Sequence, residues 1–455
     1  MEPLVIYAIL AGSLLLTFAL IRILKSLVQW KDSARVFVFR HLIYPSVISR
    51  HSLAGPWSPA GILTHLTYAT INIFLACYKS SSLEIIGRRA GDLSLINMAF
   101  PVVALHLSFA ADLLGISLPF YRKLHRVSGW MTAALTVLHM SAHGFRLDTE
   151  SAADESKERR LSTIVAAGCL AALLLISLPF VRKFSYEAFL RSHQGLTIAS
   201  IYGIWRHIPK VELLPSLYLI VGVGMLAVTS LLYIAMLLYR NGIFSGNGYP
   251  RARFLSTTEY SEQEKTKVSH DINDVPLKIS LFLPRPVKVR AGQYVNVWLP
   301  AVSFWSWTQT HPFTVISWSQ RKQSVLELLV QPQKGLTGTI GRQLRNTGAS
   351  GYSSLVLFSG PHGVSEPVDE YENVLLISSG SGLAAVLPYA RKLIHGYNTC
   401  TSRVRRVHLL WQVDKRVEIA IAAQEQVNEL LKEDLPDNGH VGYNVSMFKQ
   451  KLTTS

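Results

Sequence analysis

Two stretches of fifteen residues decide the fold of this chain: HRVSGWMTAALTVLH at residues 125–139 and HQGLTIASIYGIWRH at residues 193–207. Each begins and ends with histidine and is mostly apolar in between. In an α-helix, fourteen positions correspond to about 21 Å of rise and almost a whole number of turns. Each stretch therefore predicts a membrane helix with two imidazoles on nearly one face, one near each side of the bilayer.

The composition around these stretches is typical of a membrane protein. Of the 455 residues, 49% are hydrophobic and only 16% are charged, which is low for a soluble globular chain. A net charge of +16 would also suit nucleic acid, but the basic residues lie beside apolar segments. We therefore expect anionic lipid, and no nucleic acid, as the partner. Three cysteines are too few for a disulfide framework or a four-thiolate cluster.

Seven segments are candidates for membrane spans, which need about 20 mostly apolar residues. They are residues 3–21, 60–78, 93–111, 125–145, 161–181, 188–207 and 213–239. The positive charges Arg22 and Lys25 follow the first apolar run, which favours an uncleaved anchor with an external N-terminus over a signal peptide. Seven crossings then predict a cytosolic C-terminus. The inward loops are basic, as this orientation requires, and a loop containing Arg88 and Arg89 is the exception.

After residue 240 the pattern becomes that of soluble domains. Residues 241–249 are rich in Gly and Asn, which is typical of a linker. From about Arg251 onward, short runs such as 293–299 and 325–330 predict the strands of an antiparallel barrel or sandwich. A strand at 374–378, a glycine turn, a helix at 383–395 and a strand at 404–413 predict a β-α-β unit.

The two histidine stretches lie in segments separated by one other segment, so the two helices run parallel. His125 then faces His193 on one side of the membrane, and His139 faces His207 on the other. Each facing pair could hold one iron axially, as imidazole does in haem proteins. Two stacked haems would provide a path for electrons across the bilayer.

A structural interpretation of single histidines remains open. His51 and His65 also lie fourteen residues apart, although Gly and Pro between them break any common helix, so the spacing does occur by accident. Two such pairs inside membrane segments favour function, since ionisable residues in a bilayer are functional by default. We therefore predict two haem sites and interpret His65, His106 and His143 as structural, although His143 could also line an outer acceptor site.

Three short motifs in the soluble part are candidates for cofactor binding. His311-Pro312-Phe313-Thr314 could pack on a flavin, or be an ordinary strand with an edge proline. Lys334-Gly335-Leu336-Thr337 could donate hydrogen bonds to a pyrophosphate, or form an ordinary turn. Gly380-Ser381-Gly382 fits the looser dinucleotide fingerprint G-x-G-x-x-A, in which glycines and a helix N-terminus bind phosphate.

The preferred nucleotide stays open at this point. Arg403, Arg405 and Arg406 could bind a 2′-phosphate or form a solvated face. Asp414, near the end of the second strand, could equally favour a free ribose hydroxyl.

Together these residues resemble the ferric reductase and NADPH oxidase superfamily, and most closely the fungal ferric-chelate reductases. The resemblance covers roughly residues 35 to 415. It rests on the two histidine pairs and on motifs in the family's order: Gly292-Gln293-Tyr294, His311-Pro312-Phe313-Thr314, Gly360-Pro361-His362-Gly363, Gly380-Ser381-Gly382-Leu383-Ala384-Ala385 and Leu387-Pro388-Tyr389.

The resemblance implies two b-type haems, FAD and NADPH as cofactors. The implied haem ligands are His125, His139, His193 and His207. The implied FAD-binding residues are His311, Pro312, Phe313 and Thr314, with Thr337 as a phosphate contact. The implied NADPH pyrophosphate loop contains Gly380, Ser381 and Gly382.

The implied fold is a polytopic α-helical membrane domain of about seven helices, followed by a cytosolic flavin-binding β-barrel and a partial α/β nucleotide-binding domain. The expected boundaries are 1–58 for an anchor helix and basic cytosolic loop, 59–240 for the transmembrane haem domain, 250–365 for the FAD-binding barrel and 370–455 for the NADPH-binding domain.

The implied function is transfer of electrons from cytosolic NADPH, through FAD and both haems, to extracellular ferric or cupric chelates at the plasma membrane, in support of iron uptake. Two alternatives are a superoxide-generating NADPH oxidase and a degenerate haem-binding membrane paralogue without NADPH oxidation.

The chain departs from the family's pattern in two places. His362 stands where the family usually has Tyr or a similar aromatic. The chain stops at Ser455 without the family's Cys-Gly-Pro segment and terminal aromatic, so the resemblance implies a truncated nicotinamide half. A shortened gene model, a splice form or a real loss would each explain it, and NADPH oxidation depends on which applies.

Overall fold

The computed structural model describes residues 3–24, 36–49, 55–144, 157–209, 212–243, 246, 248–256, 277–302, 306, 309–333, 335–347, 352–412 and 426–430. The chain divides into two compact units. Residues 1–110 and 118–231 form the first unit, and residues 111–117 and 232–455 form the second.

Long helices dominate the part of the chain before residue 241. They are α1 (Pro3–Leu24), α2 (Pro59–Cys77), α3 (Leu83–Val103), α4 (Leu107–Leu114), α5 (Leu118–Gly144), α6 (Lys157–Ile176), α7 (Pro179–Phe184), α8 (Tyr186–His207) and α9 (Leu213–Arg240). Short turns lie at Phe39–Ile43 and at Ala104–His106. Among the described residues, Pro59–Cys77, Leu83–Leu114 and Leu213–Arg240 are long and apolar enough to cross a membrane. The described residues of the seven predicted spans are mainly helical, although spans 93–111 and 161–181 each cross a break into a second helix, and this confirms the polytopic helical fold.

Two predicted helix starts were wrong. The third helix begins at Leu83, ten residues earlier than expected, so Arg88 and Arg89 lie inside α3 and not in a loop. Ser82 caps this helix by accepting a hydrogen bond from Ile85 N at 3.3 Å. The fourth predicted span lies in α5, which begins at Leu118, before the apolar run. Pro119 lies in the first turn of this helix, where it removes no helical hydrogen bond.

A buried polar cluster joins α1, α2 and α3. The Tyr7 hydroxyl donates to Asn97 Oδ1 at 3.2 Å, and Asn97 Nδ2 donates to Asn72 Oδ1 at 2.8 Å. Tyr68 also donates to Asn97 Oδ1. Unpaired polar groups are costly in hydrocarbon, so these bonds favour one arrangement of the three helices. Leu4 and Tyr7 are buried in this unit, so α1 packs against the other helices, and its role as an anchor stays a prediction.

The second unit contains a two-sheet antiparallel fold. Its strands are β1 (Arg251–Ser256), β2 (Leu277–Val287), β3 (Tyr294–Trp298), β4 (His311–Thr314), β5 (Gln323–Val330), β6 (Tyr352–Leu355) and β7 (Leu357–His362), and α10 is Leu336–Thr347. One sheet has the order β5-β2-β1-β6 and the other β4-β3-β7. An isolated bridge between Val315 and Leu328 joins β5 to the chain just after β4. Alternate residues of both sheets fill one core, which confirms the expected barrel or sandwich.

A parallel β-α-β unit follows, as predicted. It consists of β8 (Asn373–Ser379), a 3₁₀ turn (Gly380–Gly382), α11 (Leu383–Asn398) and β9 (Arg406–Gln412). Asp369, in the turn before β8, accepts a hydrogen bond from Lys392 Nζ of α11 at 2.6 Å. Burial raises the pKa of Asp369, but the hydrogen bond from Lys392, a backbone hydrogen bond and the positive charge of Lys392 together outweigh it, so the pKa lies below its usual range.

The predicted linker is not a simple linker at its first residue. Asn241 is fully buried. Its Nδ2 donates to Phe358 O at 2.8 Å, and Phe358 N donates to its Oδ1 at 3.0 Å. Its amide thus pairs with the backbone of β7, which composition alone did not indicate.

Candidate functional site

Helices α5 and α8 bring the four predicted histidines together as two pairs. The ring centroids of His125 and His193 lie 6.2 Å apart, and those of His139 and His207 lie 6.3 Å apart. The partners are those expected for parallel helices. Among the described residues, no group of three or more His, Cys, Asp or Glu side chains could hold a metal ion.

The ring separation in each pair suits a metal held axially between two imidazoles. A metal–nitrogen bond is roughly 2 Å and each ring nitrogen lies about 1 Å from its ring centre, so such a pair has centroids about 6 Å apart. Over their described lengths, the backbones of α5 and α8 make almost no close contact. Each of these helices instead packs on another neighbour, α5 on α3 and α8 on α6. The histidines therefore face each other across a gap, which fits a flat macrocycle bound between them.

Helix α3 fixes the His139 ring. His139 Nδ1 lies 2.9 Å from the carbonyl oxygen of Gly87, and a carbonyl can only accept. A Cβ added to Gly91, one turn further along α3, would lie 2.8 Å from His139 Nδ1, closer than carbon and nitrogen can approach. Gly87 thus supplies a hydrogen-bond acceptor and Gly91 supplies the space for the imidazole.

Helix α6 performs the same role for the His207 ring. His207 Nδ1 lies 2.8 Å from the hydroxyl oxygen of Thr163. The two helices approach closely nearby, where Gly203 of α8 packs against Ala166 of α6. Small residues at helix crossings permit such close approach in membranes, and here it brings the Thr163 side chain within reach of the ring.

The His125–His193 pair has different surroundings. In the described part of the chain, Nδ1 of each ring is buried and has no hydrogen-bond partner. The His193 ring packs on the Phe189 ring one turn earlier, with centroids 5.4 Å apart. The two pairs therefore share a spacing and differ in their hydrogen bonding.

The predicted flavin motif forms β4, at the edge of its sheet. His311, Pro312, Phe313 and Thr314 pair with β3, and Thr314 lies opposite Tyr294. Pro312 is exposed, where its missing N–H removes no ladder bond. Phe313 packs against the barrel core. The structure confirms the strand, and the flavin contact stays a prediction.

The glycine of the Gly292-Gln293-Tyr294 motif lies against the nucleotide-binding part of the second unit. Gly292 has φ +81°, and a Cβ there would lie 2.8 Å from Tyr389 Cε2. The Tyr389 hydroxyl accepts a hydrogen bond from Glu366 N at 3.1 Å. This glycine therefore permits a close contact between the barrel and α11.

We expect Gly292→Ala to destabilise the second unit by about 1–2 kcal/mol, because an L-residue is disfavoured at this φ. Displacing Tyr389 adds to the loss. The midpoint of urea unfolding, followed by pulse proteolysis in detergent, measures it. Gly341→Ala in α10 is the control, because its Cβ would make only an ordinary 3.9 Å contact with Pro332. Equal midpoints for the two variants would contradict the assignment.

Thr337 and the Gly380 turn occupy helix N-termini. The Thr337 hydroxyl accepts from Gln333 N at 2.8 Å at the start of α10, so it already closes the preceding turn. Gly380, Ser381 and Gly382 form the turn that opens α11, and Trp411 Nε1 of β9 donates to Gly380 O at 3.0 Å. A helix N-terminus favours bound phosphate. Phosphate binding at both places remains a prediction.

His362, the first departure from the family's pattern, has a specific partner. His362 is buried, and its Nδ1 donates to Asp112 Oδ2 at 2.5 Å. The other carboxylate oxygen accepts from Gly363 N at 2.9 Å. Ser359 Oγ lies 3.0 Å from His362 Nε2. The two ring nitrogens of His362 reach Asp112 and Ser359 at once, which an aromatic ring with one hydroxyl or none could not do, and this gives a physical reason for histidine at this position.

Three contacting residues were not predicted from the sequence: Gly87, Asp112 and Thr163. An aspartate inside an apolar span is a recognisable signal, since such residues are rare and usually functional. A helical carbonyl and a common threonine carry no such signal.

Comparison with known families matches these parts of the chain in order. Residues 90–204 match the ferric reductase like transmembrane component, residues 263–366 an FAD-binding domain, and residues 371–446 the ferric reductase NAD binding domain. The chain therefore contains a ferric reductase like transmembrane region followed by an FAD-binding domain and a ferric reductase NAD binding domain. It is accordingly an integral membrane protein that carries FAD- and NAD(P)-binding domains.

The curated relatives of this chain include yeast proteins. Ferric reductase transmembrane component 3 of Saccharomyces cerevisiae is 28% identical over 335 residues, covering 72% of this chain and 42% of the relative. Ferric/cupric reductase transmembrane component 2 of the same yeast has the same identity and coverage over 334 residues. Component 1 of Schizosaccharomyces pombe is 22% identical, covering 54% of this chain and 44% of the relative. The chain spans less than half the length of these relatives.

Solved structures overlap weakly with the whole chain. A flavohemoglobin from Malassezia yamatoensis with bound FAD and heme is 15% identical, covers 77% of this chain and 79% of its own, and has a TM-score of 0.32. That score does not establish a common fold.

Proposed function

We propose that this protein carries electrons from cytosolic NADPH, through FAD and two b-type haems, across the membrane to extracellular ferric or cupric chelates. The observation that carries the proposal is the two histidine pairs that α5 and α8 bring together, with 6.2 and 6.3 Å between ring centroids. The FAD- and NAD(P)-binding domains that follow in the chain supply the electron source.

Four side chains hold the proposed haems. His125 and His193 bind one iron, and His139 and His207 bind the other, each through a ring nitrogen in the neutral form. When bound, haem would supply one-electron redox chemistry, and FAD would couple the two-electron chemistry of the nicotinamide cofactor to one-electron transfer. The role of the protein is to fix the four imidazole rings, to exclude water between the two helices and to keep the electron path between the haem sites continuous.

The proposed sites in the second unit follow its strand ends and helix N-termini. His311, Pro312, Phe313 and Thr314 contact FAD, and Thr337 binds its phosphate once its turn with Gln333 opens. The turn at Gly380, Ser381 and Gly382 binds the NADPH pyrophosphate at the start of α11. The exposed Arg405 and Arg406 favour a 2′-phosphate.

The N-terminus lies outside and the C-terminus in the cytosol, since basic residues flank the inward ends of the spans. The proposed location is the plasma membrane, where external ferric chelates support iron uptake.

Membranes containing the full chain test this proposal in two steps. Dithionite-reduced minus oxidised spectra should show b-type haem at two haems per chain, and NADPH should reduce both without dithionite. Added ferric chelate should then reoxidise them and yield the coloured ferrous chelate.

Three results would separate the alternatives. Dye reduction abolished by superoxide dismutase would assign oxygen as the acceptor and an oxidase function. Haem reduced by dithionite but not by NADPH or NADH would assign a haem-binding protein without nucleotide oxidation. Colourless protein after expression with ample haem would overturn the proposal.

A further inference from the structure

The two histidine pairs differ in what their Nδ1 atoms contact. In the His139–His207 pair, both Nδ1 atoms lie within hydrogen-bond distance of an oxygen on a neighbouring helix, Gly87 O at 2.9 Å and Thr163 Oγ1 at 2.8 Å. In the His125–His193 pair, neither Nδ1 has a partner among the described residues.

We propose that Gly87, Gly91 and Thr163 are positioning residues that orient the His139–His207 pair and lower the reduction potential of the iron it holds. This inference rests on the proposed function, because it assigns residues that act through the haem ligands. None of the three touches the iron in this assignment.

The hydrogen bond to Gly87 decides which nitrogen of His139 carries the proton. A carbonyl oxygen accepts and cannot donate, so Nδ1 is the protonated nitrogen and Nε2 carries the lone pair. A neutral imidazole with this tautomer binds a metal through Nε2. If His207 binds a metal through Nε2, its Nδ1 must carry the proton of the neutral ring. The Thr163 hydroxyl oxygen then accepts the hydrogen bond from Nδ1.

Gly91 fixes the plane of the His139 ring. A Cβ at this position would lie 2.8 Å from Nδ1, 3.1 Å from Cε1 and 3.4 Å from Cγ. The added methyl group would meet one edge of the imidazole ring, so the ring must rotate or move away if Gly91 is replaced. Either movement also lengthens the bond to Gly87 O, because both glycines lie on the same face of α3, one turn apart.

Acceptors on Nδ1 make an imidazole a stronger electron donor to its metal. A stronger donor stabilises the ferric over the ferrous state, so the potential falls. Because only the His139–His207 pair has such acceptors among the described residues, only its iron should respond when they are removed.

Thr163→Val tests the electronic part, since it removes the acceptor and keeps the shape. We expect one of the two one-electron steps in a spectroelectrochemical titration to become more positive, by about 59 mV for a tenfold change in the ferric–ferrous equilibrium. Thr163→Ser, which keeps an oxygen, should restore the wild-type value. Thr229→Val in α9 is the control, because that hydroxyl bonds only within its own helix in the structure, to Met225 O and Leu226 O.

Gly91→Ala tests the steric part. We expect loss of about half the b-type absorbance, or a changed low-spin ferric electron paramagnetic resonance signal for one haem, because that signal depends on the angle between the two imidazole planes. Gly224→Ala in α9 is the matched control, since α9 carries no proposed haem ligand and a Cβ at Gly224 meets no described atom within 4 Å, and it should keep both haems.

The outcomes separate this inference from the function it rests on. Unshifted potentials in Thr163→Val together with an unchanged spectrum in Gly91→Ala, in protein that binds two haems, would overturn the positioning roles alone. Shifts of equal size in both one-electron steps would also overturn them, because the acceptors serve one pair. Absence of haem from the wild type would instead remove the proposed function.

Discussion

Replacing His139 by alanine is expected to remove one of the two haems, and replacing His207 should remove the same one. The ring centroids of this pair lie 6.3 Å apart on α5 and α8, and under the proposed function each ring would supply one ligand to a shared iron. Removing either ligand should abolish about half of the b-type absorbance in reduced-minus-oxidised spectra. The double variant His139→Ala/His207→Ala should lose no more than either single variant, because residues that act as a unit are not additive.

A double variant that removes one histidine from each pair is expected to lose more haem than either single variant. His125→Ala/His139→Ala removes one ligand from each pair and should abolish the b-type signal completely. His65→Ala is the matched control, since His65 Nδ1 lies 2.6 Å from Gly61 O within its own helix and it has no predicted haem role. Full absorbance in both His125→Ala and His139→Ala would disprove the ligand assignment.

The second large effect is expected at Asn241. Asn241→Leu leaves the backbone N–H and C=O of Phe358 without their partners, in a site from which water is excluded. Each unsatisfied buried group costs about 1–3 kcal/mol, so the free energy of unfolding of the second unit should fall by about 2–6 kcal/mol. Pulse proteolysis across a urea series in detergent measures the change.

Asn373→Leu provides the comparison for this measurement, because Asn373 is an exposed residue at the start of β8. Its unfolding midpoint should stay close to that of the wild type. If Asn241→Leu unfolds at the wild-type urea concentration, the amide pairing with β7 contributes no stability.

Much of the fold was predictable because its signals are local. An apolar run of about 20 residues has to be a helix in a bilayer, where the backbone must satisfy its own hydrogen bonds. Short alternating runs between Pro and Gly indicated the strands of the second unit, and the turn at Gly380 stands between strand and helix as expected. The helix starts at Leu83 and Leu118 were missed because polar residues extend both helices beyond their apolar segments.

The candidate site was predictable only in part. The fourteen-residue spacing placed His125 and His139 on one face of α5, because a helix has a fixed rise and twist. Nothing in that spacing reveals the environment of each ring. The Gly87 carbonyl and the Thr163 hydroxyl come from other helices, α3 and α6.

The sequence by itself determined the membrane helices and the strand and β-α-β regions, since each follows from a pattern within one segment. It also determined the pairing of the four histidines, because one segment between the two histidine helices makes them parallel. Only the tertiary structure decided that Gly91 makes room for His139, that Asp112 binds His362 and that Asn241 pairs with β7. These contacts join residues 48, 250 and 117 positions apart. Partners at such separations are chosen by the packing of whole helices and strands, and the side chains that meet there carry no local mark of each other.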